Sequence, residues 1–290
     1  MKLLLKFDLM LVALMAISLT AVSFVARSFL VKNAKAQVLQ QAALMMESAS
    51  STRQYTSEEL KPLLKNSPAY RARFLPQTVP AYGATVIFGR MRKNFPEYTY
   101  KEATLNPTNL SDRAVEWETD VIEQFRNHPD QKELVGERMT PTGPSLYLAH
   151  PIVVEQSCLE CHSVPAAAPH TMIDKYGSNN GFGWNLHDVV AAQIVSVPTA
   201  VPMQLANKAY ATLMWWLAAT FAAILVAINI VLYFLVVVPV RNLSKVANMV
   251  SLGKLEVAEI PVRGNDEISE LTAAFNRLFV SVSKALRMID

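Results

Sequence analysis

The chain has 290 residues, 51% of them hydrophobic, with 27 Lys and Arg against 24 Asp and Glu, a net charge of +3. That charge is small and no basic stripe interleaved with aromatics accompanies it, which excludes a nucleic-acid-binding reading. Its two cysteines lie three positions apart, so a structural disulfide framework is excluded as well.

Lys2 and Lys6 precede an apolar run from about Leu9 to Val25. A cleaved signal peptide would use Ala34-Lys35-Ala36, but the run is long for a signal peptide and that site lies well beyond its end. Residues 1–30 are therefore expected to form an uncleaved membrane anchor, since about 17 to 25 apolar residues span a bilayer. Asp8 is expected at the cytoplasmic edge, in reach of water.

Residues 31–206 are expected to form an α+β domain outside the membrane. Val31 to about Leu64 predicts one long helix continuing from the anchor, rich in Ala, Gln, Leu, Met and Lys and without Gly or Pro until Pro62. Beyond Ser67, seven prolines from Pro76 to Pro144 punctuate short mixed segments. Ala114–Arg126 reads as helix, and Ser145–Val154 and Val189–Val197 read as strands.

The chemistry is carried by Cys158-Leu159-Glu160-Cys161-His162. Cys-x-x-Cys-His supplies two thiols for thioethers to the vinyl groups of a haem and an imidazole for its iron. The expectation is one covalent c-type haem per chain, bound by Cys158 and Cys161 with His162 as axial ligand. A structural zinc site needs four ligands, and no second Cys pair is present beside His150 and His170. A redox Cys-x-x-Cys expects a βαβ setting, which the pattern does not offer. For the opposite face of the haem, Met46 is the favoured ligand. It shares a helix face with Arg53, seven residues on, whose guanidinium suits a haem propionate. His128, His150, His170 and His187 compete, and an open position suits a gas ligand.

A second run from about Ala209 to Val238 lacks charge and places Trp215 and Trp216 near its start and Tyr233 near its end, as membrane–water interfaces favour. Residues 209–238 are expected to span the membrane, ended by Pro239. Arg241, Lys245 and Lys254 then mark the cytoplasmic side. Two spans place both termini in the cytoplasm of a bacterium and residues 31–206 in the periplasm, where c-type haem is attached.

Residues 239–290 repeat one pattern twice. Val240, Leu243, Ala247 and Val250 form a coiled-coil seam, Gly253 breaks it, and Leu255 and Ile260-Pro261-Val262 make a connector. Ile268, Leu271, Phe275, Leu278, Val282 and Ala285 form a second seam after Asn265-Asp266-Glu267. From about Val238 to Met288 this resembles a HAMP domain, which implies a parallel four-helix bundle made by two chains, hence a homodimer.

Pro76-Gln77-Thr78-Val79-Pro80-Ala81-Tyr82, Tyr100–Asn109, Arg113-Ala114, Trp117-Glu118, the Cys-x-x-Cys-His segment and Gly181-Phe182-Gly183-Trp184 before Gln193 also stand in a familiar order. From about Ala34 to Val201 they resemble a family of bacterial haem-c-binding, PAS-like periplasmic sensor domains. The resemblance implies a PAS-like antiparallel sheet with flanking helices around the haem. Members of that family can use a cysteine of the N-terminal helix as second axial ligand. This chain departs there, because both its cysteines belong to the motif. Met46 at the equivalent position would give His/Met ligation and a raised potential.

The expected function is a transmembrane redox or gas sensor, signalling through the HAMP helices to a separate cytoplasmic kinase, cyclase or transducer. The alternative is a membrane-anchored electron carrier. An enzyme is not expected: no phosphate-binding Gly-rich loop is present, and the cytoplasmic part has no histidine to accept a phosphoryl group.

Overall fold

The structure, a computed structural model, describes residues 3–141, 143–252 and 259–287. It divides into two units, Ala26–Tyr210 and the pair of segments Met1–Val25 and Ala211–Asp290.

Helix α1, Leu3–Tyr55, is unbroken through both its apolar first half and its mixed second half. The single helix expected to Leu64 instead ends in a π-helical turn, Thr56–Leu60, followed by α2, Lys61–Lys65. The Thr56 hydroxyl donates to the Thr52 carbonyl there, back-bonding that competes with the helix ladder.

Helices α3 (Pro68–Ala72) and α4 (Pro80–Met91) lead to strand β1, Thr99–Thr104. Helix α5 (Glu116–Asn127) precedes β2 (Leu134–Thr140) and β3 (Gly143–Val153). Two short helices, α6 (Leu159–His162) and α7 (His170–Tyr176), come before β4, Val189–Pro198. The strands form one antiparallel sheet in the order β1-β4-β3-β2.

Strand alternation divides the core. Tyr100, Val195, Val197, Leu146 and Leu148 share one sheet face and cluster with Val38, Ala42, Met46 and Ala49 of α1 and Ala84 and Phe88 of α4. Ala103, Ala192, Ile194 and Ala149 share the other and pack on Val121, Ile122 and Phe125 of α5. Each large side chain buried this way contributes about 1.5–3 kcal/mol. Both strands expected from the sequence are present. The edge strands β1 and β2, and α4, are additions.

Helix α8, Ala200–Leu232, begins in the first unit and continues in the second, where it runs into a π-helical turn, Tyr233–Val237, and α9, Val238–Ser251. Both α1 and α8 are long and apolar enough to cross a membrane. The helix does not break at Pro239. The helix continues through it, because proline is tolerated in the first turn of α9 and the wider π turn precedes it. Asp8 accepts a hydrogen bond of 2.8 Å from the Asn229 amide of α8, so its carboxylate has a protein partner.

Helix α10, Glu267–Arg287, is capped by the Asp266 carboxylate, which accepts from the Ser269 N–H at 2.8 Å. Hydrogen bonds from the Ser269 side chain and backbone hold Asp266 below the usual carboxylate range. Asn276 clamps the connector, donating to the Ile260 carbonyl at 2.8 Å and accepting from its N–H at 3.2 Å. Gly253, Lys254, Leu255 and Met288 lie outside the described residues, as does the side chain of Ala285.

Candidate functional site

Strand β3 delivers the chain into a 3-10 turn, Gln156–Cys158, and then α6, so Cys158, Cys161 and His162 fall on two consecutive helical turns. Both thiols are free and half-buried. Cys158 and Leu159 pack with Trp184 and Ile152 on Val154, Val190 and Ala191. Burial pushes the Cys161 thiol up, with Lys61 opposing the shift and Glu160 adding to it.

The partner of His162, which the sequence leaves unassigned, is the Gly181 carbonyl, 2.7 Å from Nδ1. Burial lowers the imidazole pKa, against a smaller rise from that hydrogen bond. At neutral pH the ring is uncharged, so Nδ1 carries the proton it donates to Gly181 and Nε2 keeps a free lone pair. Trp184 stacks on the ring, centroids 4.1 Å apart and planes 14° from parallel. The turn is tied back twice: Gly183 N–H donates to the Ser163 carbonyl at 2.8 Å and Trp184 N–H to the His162 carbonyl at 3.2 Å.

Glu160, between the two cysteines, meets Lys61 at 3.2 Å and Lys65 at 3.4 Å. Burial works to push its carboxyl up, but hydrogen bonding and charge from Lys61, then Lys65, together hold it below the usual range.

Arg53 lies on the same helix face as Met46, as expected, but its partner is Glu102 of β1 rather than a free anion. Tyr100 Oη donates to the other Glu102 oxygen at 2.7 Å and accepts from Gln193 Nε2 at 3.0 Å. Burial and then the Glu102 charge raise the Tyr100 pKa far above its ordinary value. Burial works to lower the Arg53 pKa, but Glu102, and more weakly Tyr100 and Cys158, raise it overall.

Met46 is 1% exposed within the cluster of Val195, Tyr100 and Leu148. Cys158 packs against a different cluster, that of Val154, Val190 and Ala191. Thus the structure brings Cys158, Cys161 and His162 together, ties Arg53 to Glu102, and sets Met46 in a buried apolar cluster. His128 Nδ1 lies 3.1 Å from the Gln124 carbonyl, and His150 Nε2 lies 3.2 Å from Glu133. His170 begins α7, and His187 sits in the turn before β4, its N–H bonded to the Val154 carbonyl. Among the described residues no group of three or more His, Cys, Asp or Glu forms a metal cluster.

Fold and motif together define a membrane-associated α+β protein whose four-stranded sheet and α1 frame a Cys-x-x-Cys-His segment. The chain belongs to the Tll0287-like family, whose model matches residues 31–198. A HAMP domain model matches residues 231–284. Among solved structures the chain is similar to the cyanobacterial heme-protein Tll0287, with 15% identity, a TM-score of 0.44, and coverage of 55% of this chain and 94% of that one. No curated protein matches.

Proposed function

We propose that the protein is a transmembrane sensor that holds one c-type haem in a PAS-like periplasmic domain and passes its state through the HAMP helices to a cytoplasmic effector. Cys158 and Cys161 would hold the haem covalently and His162 Nε2 would face its iron. The residues fit that group: two half-buried thiols stand beside a neutral imidazole whose other nitrogen is already committed to a carbonyl. A haem bound there supplies an iron that changes between ferric and ferrous states and takes diatomic gases.

The observation that carries the sensor reading is α1. One helix runs from the apolar N-terminal segment to Arg53, and α2 just beyond it grips Glu160 inside the motif. A displacement at the motif is thereby offered to the membrane helix through two polar ties, and packed interfaces convert small shifts into discrete ones. The HAMP match lies where such a signal would be received, and an electron carrier has no use for it. We read the protein as a signalling component rather than an enzyme. Leu271, Leu278 and Val282 of the second seam stand exposed on the single chain, which suits a homodimer that covers them.

The haem reading is tested on full-length protein made in a host that matures c-type cytochromes. Acidified acetone extracts non-covalent haem and leaves thioether-bound haem in place. Haem that stays with the chain after extraction is expected; haem that leaves, or a chain without haem, contradicts it.

A further inference from the structure

We infer that Thr108 is a positioning residue for His162, acting through Gly181; the inference rests on the reading of His162 as an axial ligand. The loop from Leu105 to Ala114 is pinched at its base. Thr104 bridges Arg113, and the Ala114 N–H donates to the Thr104 carbonyl at 2.9 Å. The loop therefore presents Thr108 from a fixed stem at the end of β1, the strand that also carries Glu102.

Thr108 presses directly on Gly181. A Cβ at Gly181 would overlap the Thr108 hydroxyl oxygen and lie 2.9 Å from its backbone nitrogen. Gly181 also has φ +83°, a conformation that side chains disfavour. Thus residue 181 is a glycine for two reasons, and Thr108 restricts the movement of the backbone unit whose carbonyl orients His162.

The Thr108 hydroxyl is buried, with no hydrogen-bond partner among the described residues. Its side chain and backbone fill the space beside Gly181, so what Thr108 supplies there is shape. Shape suffices, because a carbonyl held 2.7 Å from Nδ1 fixes both the tautomer and the rotation of the ring. A firm bond to Nδ1–H makes Nε2 a stronger donor and favours ferric iron. A retreating carbonyl weakens the bond and favours ferrous iron.

The test compares Thr108→Val, Thr108→Ala, Gly181→Ala and the Gly181→Ala/Thr108→Ala pair in the full chain. The midpoint potential is read by spectroelectrochemistry and the His162 tautomer by nitrogen NMR. Thr108→Val keeps the shape and should match the wild type. Thr108→Ala should raise the potential of the haem-bound chain and mix the tautomers in a chain without haem. Gly181→Ala should do both more strongly, and removing Thr108 beside it should recover part of the loss. Thr108→Ala indistinguishable from the wild type, or no recovery in the pair, overturns the inference. The tautomer reports on Thr108 in the chain without haem, where no iron holds Nε2. A chain without haem therefore refutes the haem reading and still leaves Thr108 tested.

Discussion

The motif and the Arg53 network treat polar groups in opposite ways. Around Cys158, Cys161 and His162, two thiols are free and half-buried, and one imidazole nitrogen is held by Gly181 while the other is uncommitted. Around Arg53, the polar groups satisfy one another: Arg53 with Glu102, Glu102 with Tyr100, Tyr100 with Gln193. The first arrangement is prepared to receive a group, and the second is closed. A closed buried network is rigid, because a partner lost in low dielectric is costly. The site is thus open where chemistry is expected and stiff where it meets α1.

The comparison breaks first at the cysteines. Replacing both Cys158 and Cys161 by Ala should abolish covalent haem altogether, read as loss of haem staining on a denaturing gel, with the Arg53 network intact. Glu102→Ala should cost about 3 kcal/mol, because it leaves a buried guanidinium unpaired. Chemical denaturation measures this, and the covalent haem should remain.

Met46→Ala distinguishes a core residue from a ligand. Leaving a cavity under Phe88 and Tyr100 should cost about 2–5 kcal/mol without altering the absorption spectrum of either redox state. A changed axial-ligand spectrum would assign Met46 to the iron. The smallest effect belongs to Glu160. Its pKa is lowered in the folded state, so its tie to Lys61 and Lys65 is fully present above the unfolded value of about 4.3 and lost as pH falls through the lowered one. Half-exposed pairs contribute about 1 kcal/mol or less. Glu160→Gln should therefore flatten only a shallow loss of stability below about pH 4.

The motif was legible because its chemistry lies in five consecutive residues, and the flanking strands because β-branched and aliphatic runs mark them. His162's partner was not, because Gly181 is 19 residues away and a backbone carbonyl has no signature in sequence. Its only signal was the Gly181-Phe182-Gly183-Trp184 run. β1 was hidden because its inward Glu102 reads as a surface residue until Arg53 and Tyr100 are placed against it. In β2, Gly136 weakens the strand pattern. It is there because the Tyr147 ring occupies the space a side chain would take. Periodicity placed Met46 and Arg53 on one helix face, but could not show that Glu102 of β1 answers Arg53.

The central claim is that the state of the motif reaches the HAMP helices. Both native cysteines are taken up in thioethers if the haem reading holds, so a cysteine introduced at Leu278 would be the free thiol of each chain. Full-length protein in membranes is treated with a bis-maleimide, which needs no oxidant, in the oxidised and the reduced state. Crosslinking between copies at Leu278, and in parallel at Leu271 and Val282, should change several-fold between the two states. Identical yields at all three positions would contradict the claim.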